Sequence, residues 1–226
     1  MLEQEALVTE QDSTNEQDYE KAIDVSHYQG TIDWKQVAAC GIKQVFIKMT
    51  EGGSYIDNNF LKNWRDANEA GLKVNAYHYF RALSSTPEEQ CINIKKNLPA
   101  DFDPQHHLLA IDVEQAGNEK ATKDQMADHL QTLIVLIKKN ILCEANPLIY
   151  CSSGYWDRAV NWEKYDFSVN PLWVVHWNAD KPRLPQTWEK SGSTWLFWQH
   201  SSKGIVDGIQ GDVDLDWANK RPLEFP

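Results

Sequence analysis

The sequence predicts an α/β fold, a short TIM-like β/α barrel of eight strands and about five helices in which the later helices are reduced or missing. Three observations predict it. Short runs rich in β-branched and aromatic residues alternate with helix-period segments, the pattern of parallel strands joined by right-handed crossovers. Eight such runs follow one another without a linker. No Gly-rich phosphate loop follows the first run, which argues against the rival doubly wound open sheet.

Each element has its own signal. The first strand is Ala22–Val25, followed by a short helical stretch near Trp34 to Cys40. Val45–Met49 makes the second strand, and an amphipathic segment from about Asn58 to Ala70 ends at Gly71, a natural helix cap. Lys73–Tyr79 reads as the third strand. Thr86-Pro87-Glu88-Glu89 then supplies an N-cap, a proline at the first helical position and acids in the first turn. Leu108–Val113 is the fourth strand, and a long helix from about Lys123 to Lys139 follows with Thr122 as its cap. Lys138 and Lys139 sit at its end, where cations favour the helix dipole. Pro147–Cys151 forms the fifth strand, with a short helix near Tyr155 to Val160. Beyond that the alternation fades. Leu172–His176, Trp195–Gln199 and Val213–Leu215 read as strands six to eight without full-length helices between them.

Residues 1–19 read as a flexible tail, too polar to repay the entropy of ordering, which leaves residues 20–226 as one barrel domain. The first 21 residues have no basic n-region and no apolar h-region, so they do not read as a signal peptide. No apolar run approaches the roughly 20 residues that a membrane helix needs. The formal charge of -11 repels polyanions and disfavours a nucleic-acid role; an anionic cell wall would be repelled in the same way. The four cysteines, Cys40, Cys91, Cys143 and Cys151, form no C-x-x-C pair and have no histidine at metal-ligand spacing, so buried free thiols are expected before a disulfide framework. No H-E-x-x-H motif is present, and neither a metal nor a cofactor is implied. Ten tryptophans tilt the balance slightly toward a site that stacks sugar rings, although Trp is equally a core residue.

Catalytic groups of parallel barrels project from the C-terminal ends of strands. Every strand here ends in polar or aromatic residues: Asp24, then Thr50-Glu51, His78-Tyr79, Asp112 with Glu114, Tyr150 with Ser152, His176-Trp177, Gln199-His200, and Asp214. Asp112 and Glu114 carry the most information. Residues i and i+2 of a strand share a face, with Cα atoms roughly 6.5–7 Å apart. Two carboxylates so placed after the apolar run LLAI raise each other's proton affinity, so that one keeps a proton while the other stays ionised. Glycosidic cleavage has that requirement. The D-x-E spacing alone fits more commonly a loop in which two acids pair with Lys or Arg.

Six matches, in order along the chain, change the balance. Asp24-Val25-Ser26-His27-Tyr28-Gln29-Gly30, Lys48-Met49-Thr50-Glu51-Gly52, Tyr77-His78-Tyr79-Phe80, Ile111-Asp112-Val113-Glu114, Phe197-Trp198-Gln199-His200-Ser201 and Gly211-Asp212-Val213-Asp214-Leu215-Asp216 resemble the motifs of glycoside hydrolase family 25, the Chalaropsis-type lysozymes, over residues 22 to about 218. The resemblance implies an N-acetylmuramidase that cleaves the β-1,4 bond from N-acetylmuramic acid to N-acetylglucosamine in peptidoglycan. It implies Glu114 as general acid, Asp112 as its partner carboxylate, and Asp24 and Asp214 as further carboxylates that line the cleft. Attack by the substrate's 2-acetamido oxygen, direct attack by Asp112 and inversion by an activated water all stay open. The chain departs from the family pattern at His200, where tyrosine is usual, at Asp216, where asparagine is usual, and in the bulkier Leu172–Trp177 strand.

Tyr79, Tyr150, Trp173 and Trp177 are candidate sugar-stacking walls, and Gln199, His176, His78 and Glu51 candidate polar contacts. Each has a structural alternative: packing for the aromatics, satisfied core roles for the histidines, a braced turn for Glu51. The expected partner is a peptidoglycan strand met by a monomeric enzyme outside the cell or in the wall, with no membrane insertion. Two other classes compete. A chitinase-like hydrolase would need an acid two residues before Asp112, where Ala110 stands, and a non-catalytic glycan-binding barrel would be expected to lack one of the four acids.

Overall fold

Eight strands of the computed structural model, which describes residues 18–220, close into a ring. They are β1 (Tyr19–Val25), β2 (Gln44–Glu51), β4 (Lys73–Tyr79), β5 (Leu109–Asp112), β6 (Leu148–Ser152), β7 (Leu172–Val175), β8 (Trp195–Gly204) and β9 (Val213–Asn219), and β9 returns to β1. A two-residue strand, β3 (Tyr55–Ile56), folds back antiparallel on the end of β2 and stands outside the ring. The barrel and its eight strands are therefore as the sequence predicts. Residues 1–17 of the expected tail lie outside the described residues, and Tyr19 already pairs with Asn219 as the first residue of β1.

Neighbouring strands from β1 round to β8 run parallel, and each parallel pair is joined by a helix. The helices are α1 (Trp34–Ala39), α2 (Phe60–Glu69), α3 (Pro87–Asn97), α4 (Lys123–Asn140), α5 (Ser153–Ala159) and α6 (Gln186–Ser191). The expectation of parallel pairing throughout fails at β9, which runs antiparallel to both β8 and β1. The reason is chain length. Residues 205–212 are too few for a crossover, which needs roughly a dozen residues, and suffice for a hairpin. Gly204 permits the close return, because a Cβ there would fall inside the side chain of Leu215.

Local chemistry explains the helix starts. Thr86 accepts from Glu89 N while the Glu89 carboxylate accepts from Thr86 N, and Thr122 with Gln125 repeats this reciprocal cap at α4. Each such cap is worth about 1 kcal/mol. Met126, Ala127, Leu130, Leu133, Ile134 and Ile137 form the buried stripe of α4 against the barrel wall. The short α6 escapes the periodicity argument because it has six residues and no side-chain cap.

The strand period of two then separates two cores. Outward residues such as Ile23, Ile47, Val74, Ile111, Ile149 and Val174 pack under the helices. Inward residues Ala22, Phe46, Ala110, Leu148, Trp173 and Phe197 fill the barrel floor, with the Phe46 and Trp173 rings 4.3 Å apart and Phe46 edge-on to Phe197 at 4.9 Å. A filled floor leaves only the strands' C-terminal ends open to a substrate. All four cysteines are free; Cys91 and Cys151 are buried, whereas Cys40 and Cys143 are exposed. Among the described residues no helix is long and apolar enough to cross a membrane.

Candidate active site

Two residues above the floor, the same alternation sends polar side chains inward. Asp24 follows Ala22 on β1, Lys48 follows Phe46 on β2, and Asp112 and Glu114 follow Ala110 along and just past β5. A cavity of about 210 Å³ opens there, and Asp24, Lys48, Tyr77, Tyr79, Asp112, Glu114, Tyr150, Trp173 and Asp214 are in its walls. The four carboxylates picked out in the sequence thus meet in one pocket.

Burial is the first cause of their unusual acidity. It holds Asp112 well above the ordinary carboxylate range, Glu114 adds repulsion, and only then does the Lys48 charge pull the other way. Glu114 is also raised by burial, against the opposing pull of the neighbouring Tyr150 hydroxyl, the Lys48 charge and the Tyr79 hydroxyl. Those two phenols are themselves anchored: Tyr79 OH donates to Ala116 O at 2.9 Å and Tyr150 OH to Gln199 Oε1 at 3.2 Å. Asp112 Oδ1 is fully buried and has no hydrogen-bond partner. Asp24 lies opposite Asp214 across the β1–β9 pair, a like-charge arrangement that favours keeping a proton. Burial, followed by the neighbouring acids, pushes Asp24 well up, and burial followed by Glu114 lifts Asp214 to about 6. The cleft therefore raises the proton affinity of its carboxyls, chiefly by burial, which suits proton donation to a leaving oxygen.

The other candidates separate by position. Tyr79, Tyr150 and Trp173 line the cavity. Gln199 lies beneath it, 2% exposed, donating to Asp24 Oδ2 at 2.7 Å and accepting from Trp177 Nε1 at 2.9 Å. His176 and the half-exposed Trp177 line an adjoining hollow of about 620 Å³ that shares Glu114 and also holds Tyr155 and Arg158. Glu51 braces the rim, paired with Lys48 at 2.8 Å and with Arg81. His78 does not reach the cleft. Tyr77 and Tyr79 take the inward positions of β4, so His78 points outward, where its Nδ1 meets Thr50 at 2.8 Å and its Nε2 meets Gln90 at 3.0 Å. Burial lowers its pKa to about 4, so the ring is neutral at pH 7.

Gln90 is fully buried; its amide oxygen also accepts from Arg81 N at 3.0 Å and its amide nitrogen donates to Arg81 O at 2.8 Å. Gln90→Leu strands those groups and is expected to cost about 1–3 kcal/mol in urea unfolding. Turnover of the variant that remains folded should stay at the wild-type value.

Lys48, Tyr77, Ser26, Tyr28 and Gln29 also line the cavity; in the sequence they stand within the motifs and at the rim without an assigned role. Lys48 was legible in the alternation that makes Phe46 inward. Thr50 was not, because a bulge between Lys48 and Thr50 resets the alternation and turns Thr50 away from the cleft.

The family model for glycosyl hydrolases family 25 matches residues 23–209. Lysozyme M1 of Streptomyces globisporus is 30% identical over 209 residues, covering 88% of this chain and 67% of that protein. A bacterial lysozyme from Streptomyces coelicolor superposes with a TM-score of 0.77 at 29% identity, covering 88% of this chain and 92% of the other. A family 25 glycosyl hydrolase from Bacillus anthracis gives 0.75 at 26% identity, covering 89% of each chain.

Proposed function

Since the chain belongs to glycosyl hydrolase family 25, we propose that its cleft cleaves the β-1,4 bond from N-acetylmuramic acid to N-acetylglucosamine, with Glu114 as general acid and Asp112 as partner carboxylate. At the coarser level the protein is a glycoside hydrolase of the lysozyme type that acts on peptidoglycan. The observation that carries the finer reading is the convergence of Asp24, Asp112, Glu114 and Asp214 on one cavity above a sealed barrel floor.

In this reading Glu114 gives its proton to the glycosidic oxygen as the bond from that oxygen to C1 breaks. The electron deficit at C1 is met by the substrate's own 2-acetamido oxygen, which bonds to C1 and closes a charged ring. Asp112 receives the acetamido N–H and offsets that positive charge. Two inward carboxylates from a single strand favour this route over direct attack, because Asp112 is held beside Glu114 and not on an opposite wall. Water then adds to C1 and returns a proton to Glu114, and the acetamido group is restored. Asp24 and Asp214 orient the sugar and set the local field. Trp177, Tyr155 and His176 extend the groove for the neighbouring sugar. One barrel acts alone, without a second copy, on wall material outside the cytosol.

Digestion of purified peptidoglycan tests this. New reducing ends are expected on muramic acid, and the first-formed anomer is expected to be β. Reducing ends on glucosamine would reject the bond assignment, and an α anomer would reject the acetamido route.

A further inference from the structure

The hollow beside the cleft carries a cation that no acid of the protein neutralises. Arg158 stands on α5 and lines this hollow of about 620 Å³ with Glu114, Gln115, Tyr155, His176 and Trp177. Elsewhere Arg65 pairs with Asp66, Arg81 with Glu51 and Arg183 with Asp157. Arg158 forms no ion pair with any described residue, in a chain whose formal charge is -11. Its neighbour Asp157 is already taken by Arg183 Nη2 and Gln186 N, each at 2.9 Å. The contacts of Arg158 are with neutral oxygens: Nη2 donates to Gln115 Oε1 at 3.1 Å and Nη1 to Gly154 O at 3.4 Å.

Those contacts anchor the head without using it up. A guanidinium offers five N–H donors in a planar fork, so most of the fork stays open to a ligand. Gln115 follows Glu114 directly, so the anchored head stands beside the proposed acid. On the same wall Tyr155 is 8% exposed, and its hydroxyl is buried without a hydrogen-bond partner. Its ring centre lies 5.8 Å from the Arg158 head. Trp177 is 47% exposed, with its Nε1 already tied to Gln199. The hollow thus offers an aromatic face to a sugar ring and a cation to an acid. N-acetylglucosamine needs only the first. Muramic acid differs from it by a 3-O-lactyl arm, whose carboxyl is free or carries a peptide with carboxylates of its own.

We propose that Arg158 is a specificity-determining residue that binds a carboxylate on the lactyl arm of a muramic acid residue lying in the hollow. Glu114 belongs to both cavity and hollow, so a strand whose cleaved sugar sits among the four acids sends its leaving portion past Glu114 toward Arg158. The guanidinium fork meets a carboxylate through two parallel N–H···O bonds. The net negative charge of the chain repels an anionic wall at long range, and this one open cation offsets that repulsion at the cleft mouth.

The proposal rests on the muramidase reading, so its test has one arm that needs no turnover. The substrates are glycan strands with their peptides intact and strands stripped to the free lactyl carboxylate, each compared with the same strands after conversion of their carboxylates to methylamides. Arg158→Gln keeps a donor for Gln115 and removes the charge. It should raise KM on carboxylate-bearing strands about three- to tenfold, with kcat near wild type and no change in KM on the methylamides. Arg158→Lys should recover part of the loss, because it keeps the charge without the fork. A KM rise on both kinds of strand identifies the lactyl carboxylate itself, and a rise only with peptides intact identifies a carboxylate of the peptide. A KM unchanged on both, or raised equally on the methylamides, overturns the proposal. Calorimetric binding of uncleaved strands, with and without Arg158→Gln in the Glu114→Gln background, should show the same carboxylate-dependent loss. If wild type releases no reducing ends, the muramidase reading fails, and this binding difference still decides whether Arg158 holds the carboxylate.

Discussion

Glu114→Gln is expected to lower kcat on peptidoglycan about 10²–10⁴-fold, the span that general-acid catalysis supplies. Glutamine matches glutamate in shape and keeps a polar head between Tyr79 and Tyr150, so the cleft should keep its form. What it lacks is a proton acidic enough to follow the leaving oxygen. Burial raises Glu114 above the ordinary glutamate value, and the alkaline limb of the wild-type pH profile is expected to follow the loss of that proton. The residual activity of the variant should lose this limb. Binding to insoluble peptidoglycan, read by co-sedimentation, should be retained, because the walls of the groove are untouched. A loss smaller than tenfold, measured as reducing ends released, would remove Glu114 from the acid role. The same variant separates the enzyme from a glycan-binding barrel: wild type that binds and never releases reducing ends would support the binder.

Much of this was legible in the sequence because a barrel strand is a short code with a period of two. Once Ala110 is inward, Asp112 and Glu114 are too, and both are found at the cavity. The same count, applied to Tyr77 and Tyr79, already excludes His78 from the cleft; its polarity made it a candidate, but the strand's alternation decides where it points. Other features depend on events the period does not contain. The bulge after Lys48 moves Thr50 to the helix side. The direction of β9 is set by the short 205–212 connection and not by its own residues, although its inward triad Asp214, Asp216 and Ala218 keeps the expected face. Asp216 could be flagged only as a departure from a motif. Its setting comes from Trp173, whose indole reaches it from a strand far away in sequence.

Asp112→Asn should reduce kcat by about 10²–10³, the usual consequence of deleting one preorganised electrostatic contact to a charged transition state. The amide has the carboxylate's shape but no charge to set against the positive ring that the proposed acetamido route forms at C1. Stability should move the other way. Folding raises the Asp112 pKa, chiefly by burial and then by Glu114, so the unfolded chain gives up this proton at lower pH than the folded one. Below an ordinary aspartate pKa of about 3.9 both states are protonated and the group is neutral in the balance. As pH climbs beyond that value toward the raised folded one, the unfolded state gains from ionising and the protein loses stability. Asparagine removes that loss. The variant should therefore melt above wild type at pH 7, with the difference shrinking to nothing near pH 3 in paired thermal scans. A wild type more stable than Asp112→Asn at pH 7 would mean that Asp112 is held by compensating contacts, contrary to its unpartnered Oδ1. A protein keeps an acid in so unfavourable a place when the chemistry needs it there, and a variant that melts higher while turning over more slowly is how that compromise would register.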